Sequence, residues 1–160
     1  MNLKKIIVPL DGSALAETAI PTAAQFAKKQ GATLVLLRVA EVPWIHGDDI
    51  VDAQVHVVQE AEQYLDVLAD RLQTDGVKRV ETSVWYGAPA ASIVDAAQVH
   101  GADLIVMTSH GRTGIGRLIL GSVAESVLRG TTTPILLLRA TGAAVLTPDG
   151  KARETALANA

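Results

Sequence analysis

Apolar residues in this chain fall into short continuous runs separated by longer stretches of helical spacing, and the two patterns alternate from one end to the other. Lys5 to Leu10 (Lys-Ile-Ile-Val-Pro-Leu) is β-branched and apolar, with too little polar alternation for a half-exposed strand. It predicts a strand buried on both faces. Asp11-Gly-Ser13 follows as a turn that can also start a helix, with Ser13 or Asp11 as its cap. From Ala14 to Gln30, Leu15, Ala19, Ala23 and Phe26 recur at helical spacing. Pro21 predicts a kink there, because it removes one backbone bond and crowds the carbonyl of Glu17. Gly31 ends the helix.

Thr33 to Val39 (Thr-Leu-Val-Leu-Leu-Arg-Val) is a second buried strand. Ala40 to about Asp52 reads as irregular and carries Pro43, Trp44, His46 and Gly47, a loop that covers a ligand or simply connects. From about Ala53 to Gln73, Val57, Val58, Ala61, Leu65, Leu68 and Leu72 line one helical face, with charge on the other. Val80 to Tyr86 alternates as a half-exposed, edge-like strand. Gly87-Ala-Pro89 opens a helix that runs to about His100 and stops at Gly101. Leu104 to Thr108 is the next buried strand, Ser122 to Arg129 the last helix, and Pro134 leads into the strand Ile135 to Leu138. The expected division is one domain over residues 1–140 and a flexible tail over 141–160, with a frayed helix near Arg153 to Leu157.

Five strands alternating with four helices predict an α/β fold: an open, doubly wound, five-stranded parallel sheet with helices on both faces. In such folds ligands sit beyond the carboxyl ends of the strands, where strand order reverses. Asp11, Val39 and Thr108 all fall at carboxyl strand ends.

Composition narrows the classes. Hydrophobic residues are 49% of the 160, but aromatics only 3%, so the core must be aliphatic and alanine-rich. A net charge of −3 argues against a broad nucleic-acid surface, which needs a basic stripe. With no cysteine, disulfides, thiolate metal sites and cysteine nucleophiles are excluded. No apolar run approaches the roughly 18 residues of a membrane helix. Met1-Asn-Leu-Lys-Lys goes straight into a strand, so no signal peptide is expected and the default is a soluble cytoplasmic protein.

The chemistry concentrates between Leu104 and Leu138. Gly111, Gly114, Gly116 and Gly121 lie between a buried strand and a helix start. Glycine lets N–H groups approach a ligand closely, and the helix dipole points the same way, so the loop suits an anion. Gly111-Arg-Thr-Gly-Ile-Gly116 has the glycine spacing of a P-loop, but Arg117 and Leu118 stand where lysine and Ser/Thr are needed. The dinucleotide fingerprint fails as well, because Ile119 replaces its third glycine.

The arrangement instead resembles the universal stress protein family. The resemblance rests on Ile6-Ile-Val-Pro-Leu-Asp11-Gly-Ser13, Gly87-Ala-Pro89, Ala102-Asp-Leu-Ile-Val-Met107, Ser109-His-Gly111, Gly121-Ser-Val-Ala-Glu125 and Pro134-Ile-Leu-Leu-Leu138. It spans about residues 2 to 139, in the family order. It implies a Rossmann-like fold of the adenine nucleotide α-hydrolase type. The ATP-binding branch carries Gly, two residues, Gly, nine residues, then Gly-Ser/Thr. Gly111 matches the second glycine, nine residues (Arg112 to Leu120) follow, and Gly121-Ser122 completes the motif, while Thr108 replaces the first glycine. By resemblance the nucleotide site comprises Pro9, Leu10, Asp11, Val39, Met107, Thr108, His110, Gly111, Arg112, Gly121, Ser122 and Val123. Asp11 would meet the ribose or adenine side, the backbone near Val39 the adenine, and Gly111, Gly121, Ser122 and Val123 the phosphates. Met107 and His110 would flank the nucleotide.

Plainer roles stand beside these. Ser122 with Glu125 forms a capping box, and Asp11 suits a turn. Arg112 and Arg117 suit a solvated loop as well as a phosphate. His46, His56 and His100 show no metal-ligand spacing, and Trp44 and Trp85 suit packing. Thr108 fills space that glycine leaves to a ligand and disfavours positive φ, although its hydroxyl could serve the nucleotide. The resemblance implies an ATP-binding regulatory or stress-response protein, with Mg or Mn on the nucleotide and hydrolysis slow at most, dimerising through Ile135 to Leu138. The alternatives are a dimeric interaction module of the same fold that binds no nucleotide, and an enzyme that hydrolyses or transfers from ATP.

Overall fold

The computed structural model of the chain describes residues 2–40, 50–109, 120–139, 145–146 and 152–153. Strand β1 (Lys5–Leu10) is followed by helices α1 (Ala14–Glu17) and α2 (Ile20–Gln30), then β2 (Thr33–Ala40), α3 (Ile50–Thr74), β3 (Val80–Tyr86), α4 (Pro89–Val99), β4 (Leu104–Thr108), α5 (Ser122–Gly130) and β5 (Ile135–Leu138). These five strands form one parallel sheet in the order β3-β2-β1-β4-β5. Two further two-residue strands, β6 (Val145–Leu146) and β7 (Ala152–Arg153), pair antiparallel with each other. Arg153 therefore belongs to a strand, where the tail composition had suggested a frayed helix; the cross-strand partner Val145 decides its conformation.

The apolar runs are buried on both faces as the absence of polar alternation requires. Alternate residues serve two cores. Ile6, Val8, Leu34, Leu36 and Val106 pack with Ala23 and Leu65 on the side of α1, α2 and α3. Ile7, Val35, Leu37, Ile105 and Met107 pack with Ile93, Ala96 and Val127 on the side of α4 and α5. The small helical residues let the helices approach the sheet closely, which is how a core with so few aromatics closes. Both β3 and β5 are sheet edges, β3 as its alternating pattern predicts.

The stretch expected to be one kinked helix is two helices. The N–H groups of Thr18 and Ala19 donate to Leu15 and Ala16, three residues back, and close α1. The chain restarts with Ala23 N donating to Ala19 O at 3.1 Å. Pro21 thus sits in the first turn of α2, where its missing N–H leaves nothing unsatisfied. Gly31 caps α2 in the left-handed region (φ 66°), as expected of a helix-ending glycine. Helix α3 starts at Ile50, inside the segment read as irregular; Pro43, Trp44, His46 and Gly47 lie outside the described residues.

Strand order reverses between β1 and β4. The chain leaves β1 towards one face of the sheet, and α5 covers the other. The two neighbouring carboxyl ends therefore part, and the crevice between them is the place where this topology puts a ligand.

Candidate functional site

The crevice is built from three strand ends. At the first, the carboxylate Oδ1 of Asp11 accepts from Ser13 N at 2.9 Å and from Ser13 Oγ at 2.5 Å. Ser13 Oγ in turn accepts from Ala16 N at 3.1 Å. Of the two candidate caps, Ser13 is the helix cap and Asp11 is the residue that orients it. Between them Gly12 has φ +79°. The backbone therefore favours glycine, and a Cβ there would stand 2.9 Å from Nη1 of Arg38, whose long side chain would have to shift.

At the second end, β2 outruns β1. The last β1 pair is Leu10 with Arg38, leaving Val39 and Ala40 beyond it. In a parallel sheet, alternate residues turn their backbone polar groups to alternate neighbours. Thr33 N donates to Lys4 O and Leu34 N to Arg79 O, so Val39, like Thr33, turns its backbone towards the β1 side. That side of Val39 is where β1 gives way to the crevice.

At the third, Met107 and Thr108 are buried at 6% and 7% exposure and Ser109 follows. No described non-glycine residue has positive φ, so Thr108 sits in ordinary strand backbone. The conformational objection to a β-branched residue there falls away, leaving only its volume. The N–H of Gly121 donates to the carbonyl of Ser109 at 2.7 Å, so the chain returns to the strand end as α5 begins. Gly121 is the N-cap of α5 and makes no side-chain cap bond. The capping box expected of Ser122 and Glu125 is not formed. The helix starts one residue earlier than the pattern places it: Ser122 is the first helical residue, and Glu125 pairs with Arg129 at 2.9 Å on the surface. The N–H groups of the first turn of α5 thus have no side-chain cap from this motif.

These ends enclose a cavity of about 540 Å³, within the range of small-molecule sites. Pro9, Leu10, Asp11 and Val39 line it from β1 and β2. Met107 and Thr108 line it from β4, and Gly121, Ser122 and Val123 from α5. The other three residues of the expected set, His110, Gly111 and Arg112, lie outside the described residues.

The structure adds a wall that the sequence reading missed. Glu60 and Tyr64 of α3, together with Arg38 of β2, line the same cavity. Tyr64 donates its hydroxyl to Glu17 Oε1 at 2.9 Å. Burial first, and then the Glu17 carboxylate, push the phenol well above its ordinary range, so it stays a protonated donor. The Arg38 guanidinium carbon lies 5.7 Å from the centre of the Tyr64 ring, and Nη1 is buried without a hydrogen-bond partner among the described residues. One signal was available: Arg38 is the charged residue in an otherwise uncharged strand. Away from the crevice, Trp85 Nε1 donates to Ser83 Oγ, which hydrogen-bonds His100 Nε2, both at 3.0 Å. This ties Trp85 and His100 into local packing. Among the described residues no group of three His, Asp or Glu side chains could hold a metal, and no helix is long and apolar enough to cross a membrane.

Known proteins agree with this architecture. The model of the universal stress protein family matches residues 2–139. A universal stress protein of Methanocaldococcus jannaschii is 33% identical over 141 residues, covering 85% of this chain and 82% of that protein. The solved structure of a Lactobacillus plantarum universal stress protein superposes with a TM-score of 0.77 at 24% identity, covering 87% of this chain and 99% of that one. A universal stress protein solved in complex with cAMP gives 0.68 at 23% identity, covering 88% and 100%. The chain belongs to the universal stress protein family.

Proposed function

We propose that the crevice binds ATP, and that the protein acts as a cytoplasmic, homodimeric regulatory or stress-response factor. One observation carries the reading most: the start of α5 at Gly121, Ser122 and Val123, whose N-cap Gly121 makes no side-chain cap bond, opens onto the cavity at the strand-order switch. N–H groups and helix dipole there both favour a phosphate. The backbone of Val39 then supplies polar groups for the adenine edge. The Asp11 carboxylate supplies acceptors for ribose hydroxyls. A relative of the same fold, solved in complex with cAMP, supports an adenine nucleotide as the ligand class.

A divalent ion would be carried by the phosphates, because magnesium needs few protein ligands when a nucleotide supplies oxygens. The acids lining the cavity, Asp11 and Glu60, fit that minor part. The described crevice offers no second group placed to act with a general base, so any hydrolysis would be slow.

Calorimetric titration of ATP into wild type and Gly121→Val tests the reading. Micromolar binding by wild type that Gly121→Val loses is expected; no heat with wild type would overturn it. A second reading, an interaction module that binds no nucleotide, is favoured by Thr108, whose branched side chain occupies the cavity wall. ATP affinity gained only in Thr108→Gly would select it.

A further inference from the structure

Arg38 has no part in the ATP reading, yet it lines the same cavity. Strand alternation puts its side chain on the face of Leu34 and Leu36, the side of α3, whereas α5 covers the opposite face. The guanidinium is wedged between the Tyr64 ring and the Gly12 backbone. Its Nη1 is buried with no acceptor among the described residues, whereas most buried polar groups in folded proteins have a partner. The neighbouring Tyr64 hydroxyl makes its hydrogen bond in another direction, to Glu17.

We propose that Arg38 is a second anion-binding element, recognising a phosphate on the ribose of the bound adenine nucleotide, at its 2′ or 3′ oxygen. The inference rests on the nucleotide reading. With the 5′-phosphates at the start of α5 and the base at Val39, the ribose hydroxyls face the Asp11-Gly12 turn. A carboxylate accepts from a free hydroxyl but repels a phosphate, whereas a guanidinium binds a phosphate through paired N–H donors. Dinucleotide sites divide along the same line, with an acid for the free ribose and an arginine for its phosphate. Here both stand at one turn. Gly12, with no side chain, leaves nothing between the guanidinium and the turn backbone. Within the adenine-nucleotide class the assignment favours a ligand phosphorylated at the 5′ position and again on one ribose oxygen, its remaining free hydroxyl meeting Asp11.

The test is calorimetric titration of AMP, adenosine 2′,5′-bisphosphate and adenosine 3′,5′-bisphosphate into wild type, Arg38→Gln and Arg38→Lys. Wild type should bind one bisphosphate about tenfold or more tightly than AMP, the scale of one charge-assisted contact. That ratio should fall below about threefold in Arg38→Gln and lie between in Arg38→Lys, which keeps the charge but loses the fork. AMP binding by wild type with no preference for either bisphosphate overturns the Arg38 assignment alone, as does a preference that persists in Arg38→Gln. Wild type that binds neither ATP nor any of the three overturns the nucleotide reading and this inference together. Should Arg38→Gln fail to fold, Arg38→Lys carries the comparison, and a preference undiminished there overturns the assignment.

Discussion

The backbone N–H of Gly121 meets the carbonyl of Ser109 at 2.7 Å, and Ser109 N–H donates to Leu138 O at 2.8 Å. Two hydrogen bonds thus join the end of β4, the start of α5 and the edge strand β5 into one junction beneath the crevice. The position of the α5 N-terminus is set by backbone contacts and not by a capping side chain.

Gly121→Pro isolates this contact. Gly121 has φ −58° and ψ 145°, values proline adopts without strain, so the substitution chiefly deletes the donor. A lost hydrogen bond of this kind costs about 1 kcal/mol. Urea unfolding should show that loss, and ATP titration should show weakened binding because the helix start is released. Unchanged stability and unchanged affinity together would show that the junction does not position α5.

Gly12→Ala probes the opposite side of the crevice. The left-handed backbone at φ +79° penalises any side chain by about 1–2 kcal/mol. The added Cβ also meets Arg38 Nη1 at 2.9 Å, which the long side chain relieves by moving. The expected result is destabilisation by about 1–2 kcal/mol, dominated by backbone strain. In Gly12→Ala/Arg38→Ala only the contact part should be recovered; a double-mutant cycle measured by urea unfolding separates the two.

The sheet was legible in the sequence because burial on both faces leaves a plain signature. Ile6, Ile7 and Val8 are completely buried, as is Ile105 in β4, and no charged residue interrupts Ile6 to Leu10 or Leu104 to Thr108. Helix boundaries were less legible. Pro21 marked the correct place, but whether it bends a helix or ends one depends on whether Thr18 and Ala19 find carbonyls three residues back. Ser122 looked like a cap by type, yet the backbone of Gly121 takes that position because Ser109 pulls it back to the strand. Of the crevice, strand-end residues such as Asp11 and Val39 were accessible to spacing and resemblance. The wall of Arg38 and Tyr64 was not, because it depends on a contact between residues far apart in sequence.

Helix α3 is held by its apolar stripe. Leu65 is completely buried in the core on its side of the sheet. Leu65→Ala removes that volume where sheet and helix cannot easily collapse together, and should cost about 3 kcal/mol. The urea midpoint should fall with little change in slope; a loss under about 1 kcal/mol would mean the site repacks.

Asp103 ties the start of β1 to the entry of β4. Its Oδ2 accepts from Lys5 N at 2.9 Å and Lys4 N at 2.7 Å. The Lys5 bond, then the Lys4 bond, hold its carboxyl below the usual carboxylate range. A folded pKa below the unfolded value means the stabilisation is present above the unfolded pKa of about 3.9 and is lost as pH falls through the folded value. Asp103→Asn should therefore lower stability at pH 7 and at pH 5 by the same amount, with the gap to wild type shrinking below about pH 4. Urea midpoints at three pH values measure it, and a gap that persists at the lowest pH assigns the effect to amide geometry instead of charge.

The dimer proposal makes a demand on β5. Among the described residues the strand has one neighbour in the sheet, β4, and a sheet edge is a place where a second chain can pair. Leu137 is 36% exposed, an apolar side chain at the middle of that edge. If two copies pair through it, the interface is two-fold symmetric, and the central side chains of the two strands face one another. Leu137→Lys then places like charges opposite each other, while in the monomer the introduced ammonium stays solvated, so folding is spared and pairing is not. Sedimentation velocity at low micromolar concentration should find wild type dimeric and the variant monomeric, with part of the association restored at high salt as the repulsion is screened. Wild type sedimenting as a monomer, or a variant that dimerises as well as wild type, places the interface elsewhere or removes it.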